Sequence, residues 1–367
     1  MMAKRVPIDT YCEKKIPTLQ KTYDGLIDYV DISSVDNTEK KIISYQTIES
    51  TDAPSRAKQL LKQGDVLVST VRPNLNAVAV VEEETENLMV GSTGYCVLRC
   101  KDNMDVRYLF NFCQSQYFVD DMSSQATGAS YPAVSNGIVR SSLIPCYSIE
   151  EQQKIAEKLD TVSELLALRK QQLAELDELV KSRFIELFGD PITNSNNLPT
   201  ERMELRFNLK AGITTAADDI HEFEEGMYEI PCYGGNGIRG YVREKSYTGN
   251  YPIIGRQGAL CGNVQYATGE FHATEHAVLV SLLKNDNSVW VYHLLKLMDL
   301  FRYHTGAAQP GLAVKTLNTV EVIVADKKKQ DQFAAFVEQT DKSKLTIQQS
   351  LDKLELLKKS LMQEYFG

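Results

Sequence analysis

One short motif contains the residue types of a zinc peptidase. Residues 272–276 read HATEH, which matches the H-x-x-E-H spelling of one class of these enzymes. That chemistry needs a helix that presents both histidines on one face, whereas the following AVLVSLL is typical of a strand. We therefore favour ordinary strand-edge histidines and predict no bound metal. A metallopeptidase built on His272, Glu275 and His276 is the less favoured alternative.

A second motif, GNGIRG at residues 235–240, matches the G-x-G-x-x-G spelling of a dinucleotide site. A Rossmann site also needs a helix immediately after the glycines and an acidic residue about 20 positions later. Here YVREK follows without helical periodicity, and position 260 is Leu. The better interpretation is a glycine-rich turn that carries Asn236 and Arg239 on an exposed loop.

The sequence lacks several catalytic signatures. It contains no G-x-x-x-x-G-K-[ST], no [DNS]-P-P-[YFW] tetrad of amino-methyltransferases and no G-x-S-x-G. We therefore predict a chain that is not an enzyme, with no catalytic residues and no cofactor of its own.

Four loops carry groups that suit base edges and phosphates, at residues 69–76, 127–131, 255–258 and 305–310. By geometry, Arg pairs with guanine, and Asn or Gln pairs with adenine. Taken singly, each loop is more often an ordinary solvated loop. Their occurrence at matching places in both halves of the chain favours a shared binding function.

Those halves are related by an internal repeat at an offset of 178 residues. Residues 152–189 align without a gap onto residues 330–367, and eleven of the 38 pairs are identical. Chance would give about two. A duplicated chain tends to form a pseudo-symmetric molecule, and such a molecule suits a target with two parts.

Each repeated segment predicts a long helix. In the first, Ser148 and Glu151 fit a capping box, and Gly189 marks the end. Apolar residues between them follow the a/d spacing of a coiled coil, interrupted by Arg169. The second helix begins after Asp326, with polar interruptions that include Thr340 and Lys344, so we expect the middle of the pair to be looser than its ends. We predict that the helices pack antiparallel; the alternative is that each covers only its own domain.

The remaining segments predict two globular domains of mixed α/β (α+β) fold. Strands are expected at 65–70, 77–81, 95–98, 252–254 and 277–280, with short helices at 106–121 and 288–302. Residues 64–72 resemble residues 249–256. We thus divide the chain into a first domain (1–149), a central helix (150–190), a second domain (191–326) and a C-terminal helix (327–367), with a pseudo-two-fold internal repeat.

Bulk composition limits the class of protein. No apolar run is long enough to span a membrane, and seven scattered cysteines fit reduced thiols, so we expect a cytoplasmic location. The net charge is -9, and the only positive segment, 327–367, carries only +2. Any binding to nucleic acid must therefore rely on local basic groups, or on partners that contact the phosphates.

The chain resembles the specificity (S) subunit of type I restriction-modification systems over essentially its whole length. The paired helices with their LFGDP (187–191) and YFG (365–367) endings are the most specific features. YGGNG (233–237), Gly255-Arg256, TGAAQP (305–310) and GDVLVSTVRP (64–73) add to them.

The resemblance implies two target-recognition domains, each reading half of a split double-stranded DNA sequence, spaced by two antiparallel helices. It implies two docked methyltransferase (M) subunits and restriction (R) subunits that join them, with S-adenosylmethionine, ATP and Mg on those partners. The predicted DNA contacts are Arg72, Asn74, Asn76, Ser130, Tyr131, Asn236, Arg239, Arg256, Gln257 and Gln309. A coiled-coil scaffold with two protein-binding heads is the alternative function.

Overall fold

A computed structural model describes residues 4–306 and 310–367 and divides the chain into two compact units. Unit 1 comprises residues 1–170 and 349–367, and unit 2 comprises residues 171–348. The division falls within both long helices, α4 (Ile149–Phe188) and α8 (Lys327–Phe366). The mixed α/β composition and the two long helices are as predicted; the domain boundaries stay a prediction.

Unit 1 contains eleven strands and three short helices among its described residues. The strands are β1 (Arg5–Pro7), β2 (Leu26–Val30), β3 (Val35–Asp36), β4 (Lys41–Ile42), β5 (Gln46–Glu49), β6 (Ala57–Leu60), β7 (Val66–Ser69), β8 (Val78–Val80), β9 (Leu88–Ser92), β10 (Tyr95–Leu98) and β11 (Leu143–Pro145). The helices are α1 (Val106–Gln114), α2 (Gln116–Gln125) and α3 (Asn136–Ser141). The predicted helix over 106–121 is thus two helices, because Ser115 ends the first and caps the second, accepting a bond from Phe118 N at 3.2 Å.

Unit 2 contains ten strands and three short helices among its described residues. The strands are β12 (Thr200–Arg202), β13 (Phe207–Ala211), β14 (Ile230–Gly234), β15 (Gly237–Val242), β16 (Tyr247–Thr248), β17 (Tyr251–Gly255), β18 (Val264–Ala267), β19 (Glu270–Ala273), β20 (Ala277–Leu282) and β21 (Glu321–Ile323). The helices are α5 (Met203–Arg206), α6 (Ser288–Leu297) and α7 (Val314–Asn318). The predicted helix over 288–302 ends early, and a 3-10 turn at Leu300–Tyr303 follows it.

The two units share three sheets in the same chain order, and unit 1 adds the two-stranded sheet β3-β4. In unit 1 the order β10-β7-β8 corresponds to β20-β17-β18 in unit 2, where β13 adds an edge strand. The order β5-β2-β9-β6 corresponds to β15-β14-β19-β16, and in both sheets only the central pair is parallel. The pairs β1-β11 and β12-β21 also correspond. Duplication therefore extends from the helices, where the sequence shows it, to the divergent globular parts.

The ends of the long helices follow the predicted local rules. Ser148 N donates to Glu151 Oε2 at 3.0 Å, and Glu151 N donates to Ser148 Oγ at 3.3 Å, which completes the capping box of α4. Asp326 Oδ1 accepts from the amides of Lys328 and Lys329 at the start of α8. Gly189 ends α4 in the left-handed region at φ +79°.

Within each unit, the helix segments join the core of the globular part. In unit 1, Leu159 and Phe366 are fully buried in one apolar cluster, and Phe112 of α1 lies 5.6 Å from the Phe366 ring. In unit 2, the rings of Phe184 and Phe333 are 5.3 Å apart. These aromatic contacts hold α4 and α8 against the same core in each unit.

Along α4 the seam is buried at its ends and half-buried in the middle, and Thr340 of α8 is also buried. The looser middle of the helix pair stays a prediction. Ile155 and Leu159 at one end and Val180 and Phe184 at the other are buried. The seam positions between Val162 and Val180 are half-buried, namely Leu166, Arg169, Leu173 and Leu176. In unit 2, Lys344 of α8 forms an ion pair with Asp177 of α4 at 2.6 Å.

A buried glutamine near the start of each long helix bonds that helix to a short helix of the same core. Gln152 Oε1 accepts from Asp105 N at 2.9 Å, and Gln330 Oε1 accepts from Asn287 N at 2.8 Å. Asp105 and Asn287 are the N-caps of α1 and α6. Each amide nitrogen also donates to backbone just before its own helix. Both glutamines are 1% exposed, so these bonds replace bonds to water.

No helix in the described ranges combines the length and apolar character that crossing a membrane requires.

Replacing Gln330 with Ala should destabilise unit 2, because the Asn287 amide and the Ala325 carbonyl then lose a buried partner. We expect a loss of about 2–3 kcal/mol in the free energy of unfolding, measured by chemical denaturation. Gln339→Ala, on an exposed position of the same helix, should change it by less than about 0.5 kcal/mol. Equal losses in the two variants would contradict the role given to Gln330.

His293 should make unit 2 sensitive to acid. Burial, assisted by the charges of Lys296 and Lys344, lowers the pKa of His293 from 6.5 to about 3, despite the opposing charge of Asp177. The unfolded chain therefore binds the proton first, and stability falls as the pH drops from about 6.5 towards 3, by at most about 1.4 kcal/mol per pH unit. Denaturation of wild type and His293→Phe at pH 7 and pH 5 checks this: the variant should lose less stability, and identical losses would refute it.

Candidate nucleic-acid interface

In unit 1, backbone bonds join two of the predicted contact loops. Arg72 N donates to Pro132 O at 2.7 Å, and Val134 N donates to Thr70 O at 2.9 Å. The second loop closes on itself through reciprocal bonds between Thr127 and Ala133 at 3.0 and 2.9 Å. Residues 70–72 and 127–134, which are far apart in sequence, therefore form one surface feature.

Arg72 and Tyr131 are in contact on this surface. The Arg72 guanidinium lies 4.9 Å from the centroid of the Tyr131 ring, and Tyr131 is 68% exposed. Arg72 adopts the left-handed region at φ +49°, which is uncommon for residues other than glycine and is held here by the bond to Pro132. Asn74, on the short 3-10 turn Pro73–Leu75, and Ser130 are both exposed.

Asn76 differs from its neighbours because its side chain points into unit 1. Its Nδ2 donates to Cys113 O at 2.8 Å, and its Oδ1 accepts from Lys40 Nζ at 2.8 Å. Burial and the nearby charge of Lys358 lower the pKa of Lys40 to about 8, against the opposing effect of Asp36. Lys40, which reaches Asn76 from the turn between β3 and β4, was not among the predicted site residues, because no local pattern marks it. The prediction that Asn76 contacts DNA has no support from this geometry, which suits a residue that shapes the loop.

In unit 2 the same backbone bonds recur. Gly258 N donates to Pro310 O at 2.9 Å, Leu312 N donates to Arg256 O at 2.8 Å, and Thr305 and Gly311 form reciprocal bonds. Arg256 therefore corresponds to Thr70, and Gly258 corresponds to Arg72. This corrects the pairing of residues 64–72 with 249–256, which had made the two arginines equivalent. The backbone bonds set this register, and sequence similarity missed it by two residues.

The glycine-rich turn of unit 2 packs directly on Gly255. Gly235 and Asn236 form the turn between β14 and β15, and a Cβ on Gly255 would lie 1.9 Å from Gly235 O. Only glycine allows this approach. Asn236 is exposed and accepts a bond from Asn263, while Arg239 lies on strand β15 and not on the loop that we predicted for it.

The two remaining predicted contacts of unit 2 are Gln257 and Gln309. Gln257 is exposed beside the Gly311 bridge. Gln309 lies outside the described residues. Unit 2 thus brings Asn236, Arg256 and Gln257 to neighbouring loops.

The HATEH motif forms strand β19 and the turn after it, as the apolar continuation predicts. His272 Nε2 bonds to Thr215 Oγ1 at 2.8 Å and Nδ1 bonds to Ser246 Oγ, so both ring nitrogens have hydroxyl partners. Burial lowers the pKa of His272. Within residues 4–306 and 310–367, no group of three or more His, Cys, Asp or Glu side chains is arranged to hold a metal ion.

Taken together, each unit presents polar side chains on loops that glycines and backbone bonds hold in place. Guanidinium and amide groups can form paired hydrogen bonds with base edges, and an exposed tyrosine can pack on sugars or bases. The arrangement suits binding of nucleic acid.

Comparison with known proteins identifies the class. A family model for the type I restriction modification DNA specificity domain matches residues 9–178 and 207–356, one match for each repeat. The specificity subunit of the type I restriction enzyme EcoprrI from Escherichia coli is 36% identical over 258 residues, which are 65% of this chain and 62% of that protein. That of HindI from Haemophilus influenzae is 25% identical over 232 residues, 57% of this chain and 50% of that protein. The aligned part of the chain spans less than two thirds of either relative.

Solved structures support the fold. A chain from work on the complex assembly and conformational transition of the type I R-M system aligns with a TM-score of 0.64 at 21% identity, over 100% of this chain and 97% of that one. The type I restriction-modification S subunit from M. genitalium also gives 0.64, at 17% identity, over 99% and 96%. The curated relatives are specificity subunits, a non-catalytic class, which confirms the prediction that this chain is not an enzyme. Its two matched regions show that it belongs to the family of type I restriction-modification DNA specificity proteins.

Proposed function

We propose that this chain reads a bipartite duplex DNA target, one half-site with each unit. One observation carries the proposal: the loop-to-loop bonds are the same in both units, while the side chains at equivalent positions differ. Thr70, Val71 and Arg72 in unit 1 correspond to Arg256, Gln257 and Gly258 in unit 2. An identical scaffold with different side chains is what two different half-sites require.

The base contacts within this proposal follow from side-chain chemistry. Arg72 and Arg256 have the donors to pair with guanine, and Gln257 and Asn236 can form paired bonds with N6 and N7 of adenine. Tyr131 steadies the Arg72 guanidinium, which reduces the freedom that the arginine loses on binding. Asn74 and Ser130 are exposed beside this pair and have donors for phosphates or base edges.

We further propose that α4 and α8 form an antiparallel coiled coil that spaces the readers and docks two methyltransferase subunits. In unit 2, Phe184 of α4 contacts Phe333 of α8, while the earlier Asp177 contacts the later Lys344. This order supports opposite helix directions. Both helices also carry exposed large apolar side chains, which favour association with a partner: Leu165, Leu168, Leu179, Ile185, Leu345, Leu356 and Leu357.

Partner subunits would also compensate for the net negative charge of the chain, which disfavours binding to DNA phosphates. With a net charge of -9, the acidic groups of the chain outnumber the basic groups that could neutralise phosphates, so the docked subunits would supply further phosphate contacts. The proposed assembly takes S-adenosylmethionine on the methyltransferase subunits, with ATP and Mg on restriction subunits, in the cytoplasm. Helical phasing then places the half-sites roughly 10 bp apart, centre to centre. A scaffold with two protein-binding heads is the competing function. Pull-down of a methyltransferase subunit together with salt-sensitive, sequence-dependent DNA binding would exclude it.

Replacing Arg72 with Ala should relax one base pair of one half-site. The target is first read from genomic methylation in a strain with and without the gene. Binding of the reconstituted complex to single-substitution duplexes should then show a loss of about 1–3 kcal/mol confined to one position. Arg202→Ala, on an exposed arginine of unit 2 away from the loops, serves as the control. A uniform loss across all duplexes would reassign Arg72 to a phosphate.

Exchanging residues 191–326 for the same segment of another family member should change one half of the target only. The reason is that the loop bonds of unit 1 join residues 70–72 to residues 127–134, which the exchange leaves unchanged. Methylation mapping of the hybrid complex measures both halves at once, and the unchanged half is the internal control. A change in both halves would show that the units do not read independently.

A further inference from the structure

Four buried polar side-chain atoms in unit 2 lack hydrogen-bond partners among the described residues: Nε of Arg256, Nδ1 of His276, Oγ1 of Thr274 and Nε1 of Trp290. The first two belong to residues that a backbone bond joins. Buried polar atoms are nearly always bonded, so each exception asks for a reason. Both residues lie at the edge of the candidate interface.

The strand register places the two side chains on the same side of the sheet. Strands β17 and β20 pair Ile254 with Val278 and Gly255 with Ala277, and Arg256 N continues the ladder by donating to His276 O at 3.0 Å. Arg256 and His276, one position beyond the last paired residues, are thus joined by a backbone bond where the next cross-strand pair would stand. Side chains of such pairs point to the same face and lie close together.

The two unpaired atoms are also complementary in chemistry. The Nε–H of arginine can only donate. His276 Nε2 lies 3.2 Å from Glu275 Oε1, and a neutral ring that carries its proton on Nε2 can donate to this carboxylate oxygen. Nδ1 of His276 is then an acceptor. The Nε–H of Arg256, on the opposite residue, is a donor that lacks an acceptor.

In unit 1, the residue that corresponds to Arg256 has its hydrogen-bond partner within the unit. There Thr70 corresponds to Arg256 and Gly94 to His276, because Thr70 N donates to Gly94 O at 2.9 Å as Arg256 N does to His276 O. The Thr70 hydroxyl also donates to Gly94 O at 2.8 Å, so its donor is satisfied. The two units share this backbone arrangement. The side-chain donor is hydrogen-bonded within unit 1, whereas the Arg256 and His276 atoms in unit 2 are not. This difference indicates that the groups in unit 2 serve a ligand.

We propose that His276 is a positioning residue for Arg256: its Nδ1 accepts the Nε–H of Arg256 when duplex DNA is bound, while Glu275 fixes the ring. The terminal N–H groups of Arg256 then remain free to bond O6 and N7 of one guanine in the second half-site. This inference rests on the proposed function, since it names how one reader of that function is held. It gives the HATEH motif a role in recognition without a metal.

The test measures binding of the reconstituted complex to duplexes that carry the mapped target or single substitutions of it. His276→Ala should reduce discrimination about tenfold at one base pair, the same one that Arg256→Ala affects. His276→Asn should retain most of the discrimination, because its amide oxygen can accept near the place of Nδ1. The double variant should lose little more than Arg256→Ala alone, since both changes remove one interaction.

Other outcomes overturn the inference. A uniform loss with His276→Ala on all duplexes, additive losses in the double variant, or no rescue by Asn in a variant of wild-type stability would each contradict positioning. Unfolding curves identify a folding defect, and the Asn variant, which is the milder change, keeps the test decisive if the Ala variant is unstable. If wild type itself shows no sequence dependence, the proposed function fails; if wild type discriminates and His276→Ala does too, only this inference fails.

Discussion

The attachment of each long helix to its globular core is the constraint on which the rest depends. A helix of 40 residues cannot be covered by one small core, so its position must be fixed near one end. Gln152 and Gln330, near the start of α4 and α8, fix the helices in this way. Each side chain bonds to the backbone just before its own helix and to the N-cap residue of α1 or α6. Because these amides are buried, a shift of the helix would leave several polar groups without partners. The loops that we propose to read DNA extend from the two cores to which these helices are attached.

The duplication explains how one chain could serve two different half-sites. Both units repeat the sheet orders, the glutamine bonds and the bridges between the contact loops. Strand pairing and backbone bonds depend little on side-chain identity, so the loops are free to vary. The consequence is visible at Thr70 and Arg256, which share a backbone position and differ in every property that a base edge would sense. The same freedom allows Asn76 to serve the interior of unit 1 while its neighbours face solvent.

The histidines of residues 272–276 illustrate how context decides the chemistry of a motif. On a helix their spacing would place both rings on one face for a metal. On strand β19 and its turn, His272 instead bonds two hydroxyls, and His276 lies opposite Arg256. Residue types and spacing alone were compatible with a peptidase. The local fold reassigns them, because only His272 lies on β19 while His276 lies in the turn after it, and each ring has its own neighbours.

The sequence by itself determined the elements whose causes are local. The capping box at Ser148, the stop at Gly189 and the apolar seam predicted both long helices, and alternation of apolar residues predicted the main strands. The repeat at 178 residues predicted the two-part design. These features depend on neighbours within a few positions, or on similarity that is visible in the letters.

Only the tertiary structure decided which distant residues meet. Arg72 lies over Tyr131, Lys40 reaches Asn76, and Arg256 faces His276 because strands and loops far apart in sequence pair in one particular register. In that register Arg256 corresponds to Thr70, two positions before Arg72, so the two arginines are not equivalent. Register follows from the whole set of buried faces and backbone bonds, which no short stretch of sequence contains.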